Sequence, residues 1–235
     1  MKHVTVSVIS MVFSSLLYAG PIVVNAPVEQ LFVPKGFDNN DNVEVMVTGN
    51  FPNTCYSRNK VEVKIHDEIV DVTVTALSTK EDNDVCENIQ IPFMESVTIG
   101  NLQAGDYKII VNKKLSDKLN VETASSRSVD NHLYAQIQYI DLGFTGGLSG
   151  DAILVGRIQE SCLALDTVKY ISNGKNTLSI LPVLKKVSDD CSNTDKKYLE
   201  VPVKFQPKAF ASEKVLLFVR TMDGKSVSTL VDKKF

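Results

Sequence analysis

Few residues in this chain of 235 could do chemistry unaided: four cysteines, Cys55, Cys86, Cys162 and Cys191, and three histidines, His3, His66 and His132. A nucleophilic cysteine needs a base or cation nearby to form its thiolate. His66 sits beside Asp67 on a polar stretch and His132 in a linker-like region. Neither is placed to activate a thiol or a serine, so both read as exposed spectators. Zinc would want close ligand spacing and accompanying histidines, and neither is present. The cysteines therefore read as crosslinks.

Other stretches offer weaker chemistry. "FDNNDN", Phe37 to Asn42, could present Asp38, Asn40 and Asp41 to calcium. It lacks the alternating acids, the glycine and the distal glutamate of a calcium loop. Asn and Asp bond their own backbone readily, so a side-chain-capped turn is the better reading. "DLGFTGGLSGD", Asp141 to Asp151, is glycine-rich but has no lysine to complete a phosphate cradle. It reads as a connection into a strand. A pair of carboxylates for glycoside hydrolysis could sit on any acidic β protein, but the chain has no Trp to stack a sugar ring. No cofactor is expected.

The start of the chain explains why crosslinks are the natural reading. "MKHVTVSVISMVFSSLLYAG" has a basic start, an apolar middle and a small-residue end, the layout of a secretory signal peptide over residues 1–19. An even set of cysteines in an exported protein is a disulfide framework by default. No cysteine follows the cleavage region to take a lipid, and no later apolar run reaches the ~20 residues of a membrane helix. Periplasm or secretion is the expected destination. Lysine pairs such as Lys113-Lys114 and Lys185-Lys186 alternate with carboxylates, and the net charge is −3. No basic footprint for nucleic acid is visible.

These residues are carried by a repeat. "EVMVTGNFPNTC" (Glu44 to Cys55) lies over "DAILVGRIQESC" (Asp151 to Cys162), with glycine and cysteine equally spaced. "VEVKIHDEIVDVTVTAL" from Val61 continues over "VKYISNGKNTLSILPVL" from Val168. A polar loop with a second cysteine follows in both, and then "IQIPF" matches "LEVPV". A repeat this long is a duplicated domain. Its internal period is two: Val43, Val45 and Val47 alternate with Glu44, Met46 and Thr48, the mark of half-buried strands. Asn173-Gly174 and Asp223-Gly224 predict two-residue hairpin turns. In the first repeat, strands are expected near 28–33, 42–50, 60–66, 69–77, 89–99, 106–112 and 118–124.

Seven short antiparallel strands in about a hundred residues is the immunoglobulin-like sandwich pattern. The phrase "IGNLQAGDYKIIVN", Ile99 to Asn112, resembles the closing segment of bacterial Ig-like and fibronectin type III-like domains. That resemblance implies that Tyr107 bonds back to the preceding corner. The second repeat has no such tyrosine.

The expected architecture is all-β: two tandem Ig-like antiparallel sandwiches at 20–124 and 132–235, joined by a Ser-rich linker at 125–131. An ancestral domain standing alone could pair only its own thiols, so Cys55 should bond Cys86 and Cys162 should bond Cys191. Functionally the reading is an exported non-enzymatic protein that binds an envelope or extracellular protein or polysaccharide through loops or strand edges. Its rivals are a pilus-assembly-type chaperone, an inhibitor of a secreted hydrolase, and a carboxylate-dependent hydrolase. Two close buried carboxylates in a cleft would favour the last.

Overall fold

The computed structural model describes residues 20–79, 85–125, 132–144, 146–191 and 197–233. The leader-like segment 1–19 and the linker residues 126–131 lie outside the described residues. What is described is all-β, with a single short 3-10 turn at Pro207–Ala209.

The first sandwich begins with β1 (Ile22–Asn25) and β2 (Val28–Phe32), which belong to different sheets. The chain crosses between them at Ala26-Pro27. The Ala26 N–H donates to the Val74 carbonyl at 2.9 Å, and Pro27 has no N–H to lose at the crossing. After the short β3 (Phe37–Asp38) come β4 (Val43–Phe51), β5 (Tyr56–His66), β6 (Ile69–Ser78), β7 (Ile91–Gly100), β8 (Gly105–Val111) and β9 (Leu115–Glu122). One sheet is β2-β4-β7. The other runs β5-β6-β8-β9-β3, with β1 sharing an edge of β6 with β8. Val43, Val45, Val47, Val70, Val72 and Val74 all enter the core, as the alternation predicted.

The second sandwich repeats this plan with β10 (Leu133–Tyr134), β11 (Gln136–Asp141), β12 (Asp151–Ile158), β13 (Leu163–Ser172), β14 (Thr177–Lys186), β15 (Lys197–Lys204), β16 (Lys214–Thr221) and β17 (Lys225–Asp232). Its sheets are β11-β12-β15 and β13-β14-β16-β17, with β10 beside β14. Ala135 takes the place of Ala26 at the sheet crossing, its N–H donating to the Pro182 carbonyl at 2.9 Å. The shared glycine now has a cause. A Cβ on Gly49 would overlap the Pro27 carbonyl oxygen, and one on Gly156 would overlap that of Gln136. The crossing chain passes too close for any side chain there.

Three expectations need correction. The sheets are not wholly antiparallel: β6 runs parallel to β8, β14 parallel to β16, and β3 parallel to β9. In the immunoglobulin arrangement the third strand neighbours the sixth. Here the second strand of the hairpin takes that place, because β6 buries Val70, Val72, Val74 and Ala76 while β5 is mostly exposed. The more apolar strand sits centrally and the charged one at the edge. Second, the two prolines are not equivalent. Pro92 pairs with Asn50, whereas Pro202 pairs with Ile153, which matches Met46. Third, Asn173-Gly174 is not a two-residue turn. The ladder closes at Ser172 and Leu178, and the Asn173 side chain accepts the N–H groups of Lys175, Asn176 and Thr177, each at 2.9 Å.

That longer loop has a purpose, for it docks on the first sandwich. Asn176 donates to the Leu31 carbonyl at 2.9 Å and Asn173 to the Val33 carbonyl at 3.3 Å. The Lys35 N–H donates to the Ser179 hydroxyl at 3.1 Å. Strand β16 is divided between two cores. Val215, Leu217 and Val219 enter the core of the second sandwich, while Leu216 and Phe218 enter that of the first. Phe218 meets Phe37 edge-to-face at 5.9 Å. Next along that face, Arg220 makes a bidentate ion pair with Asp41, their side chains 7% and 1% exposed. Its guanidinium also donates to the Gly36 carbonyl at 2.9 Å and stacks on Tyr134 at 5.1 Å. The two sandwiches thus share an interface of apolar packing, hydrogen bonds and one buried ion pair.

Candidate functional site: the cleft between the sandwiches

Beside that interface lies a cleft of about 510 Å³ whose walls come from both sandwiches. Its charged lining is Lys35 and Glu122 from the first sandwich and Lys169 from the second, with His132 among them. Phe37, Tyr134, Ile171 and Leu181 supply the apolar lining. Asp38 and Arg220 also line it.

Strand chemistry positions these groups. Tyr134 and His132 precede the sheet crossing at Ala135, and their rings meet edge-on at 6.2 Å. Lys169 and Ile171 lie two apart on β13, so both point to one side of the strand. Lys35 and Gly36 lie in the connection between β2 and β3. Gly36 adopts φ 87°, which favours glycine, and a side chain there would collide with Ile171 Cδ1 at 2.6 Å.

The electrostatics of the cleft are asymmetric. Lys169 Nζ lies 2.9 Å from His132 Nε2, a contact that requires the ring nitrogen to accept. Burial, then the charges of Lys169 and Arg220, push the His132 pKa below its usual 6.5 and keep the ring neutral. Asp38 moves the other way: burial raises its carboxyl pKa, assisted by the neighbouring Asp41 and opposed by the Asn40 N–H and Arg220. His132 is thus half-buried and in contact with Lys169, where the sequence suggested full exposure. His66 stays exposed at the end of β5.

The calcium candidates fall in a pinned turn. Asp38 accepts the Asn40 N–H at 2.9 Å, and Asp41 accepts the Asp38 N–H at 2.6 Å in addition to pairing with Arg220. The Asn40 carbonyl accepts from Asn101 at 2.9 Å. These contacts are those of a capped turn tied to an arginine. The disulfides are Cys55–Cys86 and Cys162–Cys191, with Cα separations of 5.5 Å and 4.8 Å. Each joins the end of one sheet crossing to the loop before β7 or β15. Glu160 approaches the second bridge, but both sulfurs there are bonded to each other. In "DLGFTGGLSGD" the glycines carry positive φ and the loop base packs on Phe205 and Val231, making it the connection into β12. Tyr107 donates to the Gln103 carbonyl at 3.0 Å, as the closing-segment resemblance implied.

Lys35, Tyr134, Lys169 and Arg220 carry the cleft and were not singled out by sequence. One signal for the interface was readable: "VLLFV", Val215 to Val219, is an unbroken apolar run, which marks a strand buried on both faces.

The fold places the chain among β-sandwich proteins with one disulfide in each of two domains. Residues 45–121, from β4 to β9, match the family described as the ORF11 beta-sandwich domain, to which the first sandwich is therefore similar. No curated protein and no solved structure matches the chain. Among the described residues no helix is long and apolar enough to cross a membrane, and the disulfides fit an oxidising compartment.

Proposed function

We propose that this is an exported, non-enzymatic binding protein of the cell envelope or extracellular space, and that its binding site is the cleft between the sandwiches. The cleft carries the reading. It is concave, built by both domains, and lined by the apolar groups Phe37, Tyr134, Ile171 and Leu181 together with charged and polar ones, and concave clefts at domain interfaces are where ligand sites preferentially occur.

Strand edges support the role less well. β5 and β13 each carry a bulge, between Arg58 and Val61 and between Leu165 and Thr167. The edge strands β7 and β15 each contain a proline, which offers no N–H. Bulges and prolines blunt an edge against strand addition, which weighs against a strand-donating chaperone. A carboxylate-dependent hydrolase is favoured by one observation, the buried Asp38 with its raised pKa beside the cleft. Its neighbour Asp41 is committed to Arg220, and the other carboxylate of the cleft, Glu122, which faces Asp38 across the β3–β9 ladder, is exposed, so the cleft holds no pair of buried carboxylates among the described residues.

The test is affinity capture from native envelope with the mature protein and with an Ile171→Trp variant that fills the cleft. Wild type should retain a recurrent partner that the variant loses while keeping its far-UV spectrum. Equal retention by both would place binding elsewhere. Hydrolysis in a substrate screen that disappears in Asp38→Asn would replace the binding reading with the enzymatic one.

A further inference from the structure

Resting on the binding role proposed above, we infer that the cleft takes a small amphipathic monocarboxylate, its anionic group held by Lys35 and Lys169 and its apolar body against Tyr134, Ile171 and Leu181. Three observations carry this. First, the two lysines come from different sandwiches, line the same cleft, and form no ion pair among the described residues. Second, Lys169 is held at 2.9 Å by His132 Nε2. A neutral acceptor fixes the ammonium without cancelling its charge, which is what an anion site needs and what a carboxylate partner would spoil. Arg220 shows the contrast, since Asp41 neutralises it; it shapes the wall and leaves the anion to the lysines. Third, Phe37, Tyr134, Ile171 and Leu181 give the cleft an apolar wall beside its charged groups, and a volume of about 510 Å³ lies within the ~300–1,000 Å³ of small-molecule sites.

The acids set the charge of the ligand. Glu122 and Asp38 share the cleft with the lysines. Both ligands would meet those two carboxylates beside the two lysines, and a dianion such as a phosphate monoester would add twice the repulsion of a single carboxylate, so the site favours the smaller charge. The carboxylate could belong to an N-blocked apolar amino acid or to a short fatty acid; the chemistry is shared and the probes separate the sources.

The readout is the His132 ring resonance in proton NMR of the mature protein, with the exposed His66 as internal control. N-acetyl-L-phenylalanine and octanoate are titrated beside N-acetyl-L-phenylalaninamide, which keeps the apolar body and lacks the charge. At least one acid should shift His132 saturably and leave His66 still; whichever binds tighter identifies the source. The amide should bind about tenfold more weakly, the worth of one charge-assisted hydrogen bond. Lys35→Met and Lys169→Met should each weaken the acid by a similar factor, with melting unchanged because both lysines are exposed. Equal binding of acid and amide, indifference of both variants, or no shift at millimolar concentrations of either acid would overturn the inference. If the acids fail while Ile171→Trp still abolishes envelope capture, the ligand class falls and the binding role stands.

Discussion

Replacing Arg220 with methionine should cost this protein a large part of its stability. Arg220 donates to both oxygens of Asp41 and to the Gly36 carbonyl, in a place where the two side chains are 7% and 1% exposed. Methionine keeps an apolar stem of similar length but removes the guanidinium that lies over the Phe37 and Tyr134 rings. What is lost is the cation, which strands a buried carboxylate whose remaining donor is the Asp38 N–H at 2.6 Å. Removing one partner of a buried pair costs about 3–5 kcal/mol, against a total of about 5–15 for a typical protein. Urea unfolding followed by far-UV circular dichroism at neutral pH measures the deficit. Wild type should unfold in one transition, because Leu216 and Phe218 of the second sandwich complete the core of the first. A deficit under about 1 kcal/mol, or two well-separated transitions in wild type, would refute the account of the interface.

Other outcomes follow from the same coordinates. Replacing Cys55 and Cys86 together with alanine opens a loop of sequence separation 31 and should cost about 2–4 kcal/mol by urea unfolding; non-reducing peptide mapping should recover Cys55–Cys86 and Cys162–Cys191 peptides. Gly49→Ala and Gly156→Ala should each destabilise by at least ~1–3 kcal/mol, the range for overpacking, since backbone occupies the space of the new methyl; tolerance of either would show that the sheet crossing is looser than described. The folded pKa of His132 lies below 6.5, so as pH falls through that value the unfolded chain takes the proton first and stability drops, levelling below the folded pKa. His132→Gln should flatten that slope in unfolding measurements, and an unchanged slope would assign it to other groups.

The class of fold was readable because its signals are local. Alternation of valine with polar residues needs only the two-residue period of a strand, and it placed β4 and β6 nearly to the residue. The matched spacing of Gly49 and Cys55 with Gly156 and Cys162 revealed the duplication, and the duplication chose the disulfides. Even the reason for the glycine waited for three dimensions, since the carbonyl it makes room for belongs to another strand. Strand order was not legible either: the choice of β6 over β5 as neighbour to β8 depends on which strand loses more by staying in water.

The relation of the two domains shows the same division more sharply. From sequence the polar stretch 125–131 reads as a Ser-rich linker between two tandem sandwiches, and Asp41 reads as one acid in a capped turn. Only the folded chain brings Arg220, distant in sequence by 179 residues, against that acid, and turns alternate side chains of one strand into two different cores. Alternation tells which residues leave water and not what they meet there. A hydrophobic face binds whatever complementary surface the topology delivers, and charges separated this far in sequence carry no mark of their pairing. The cleft, with Lys35 from one sandwich and Lys169 from the other, exists because of that packing.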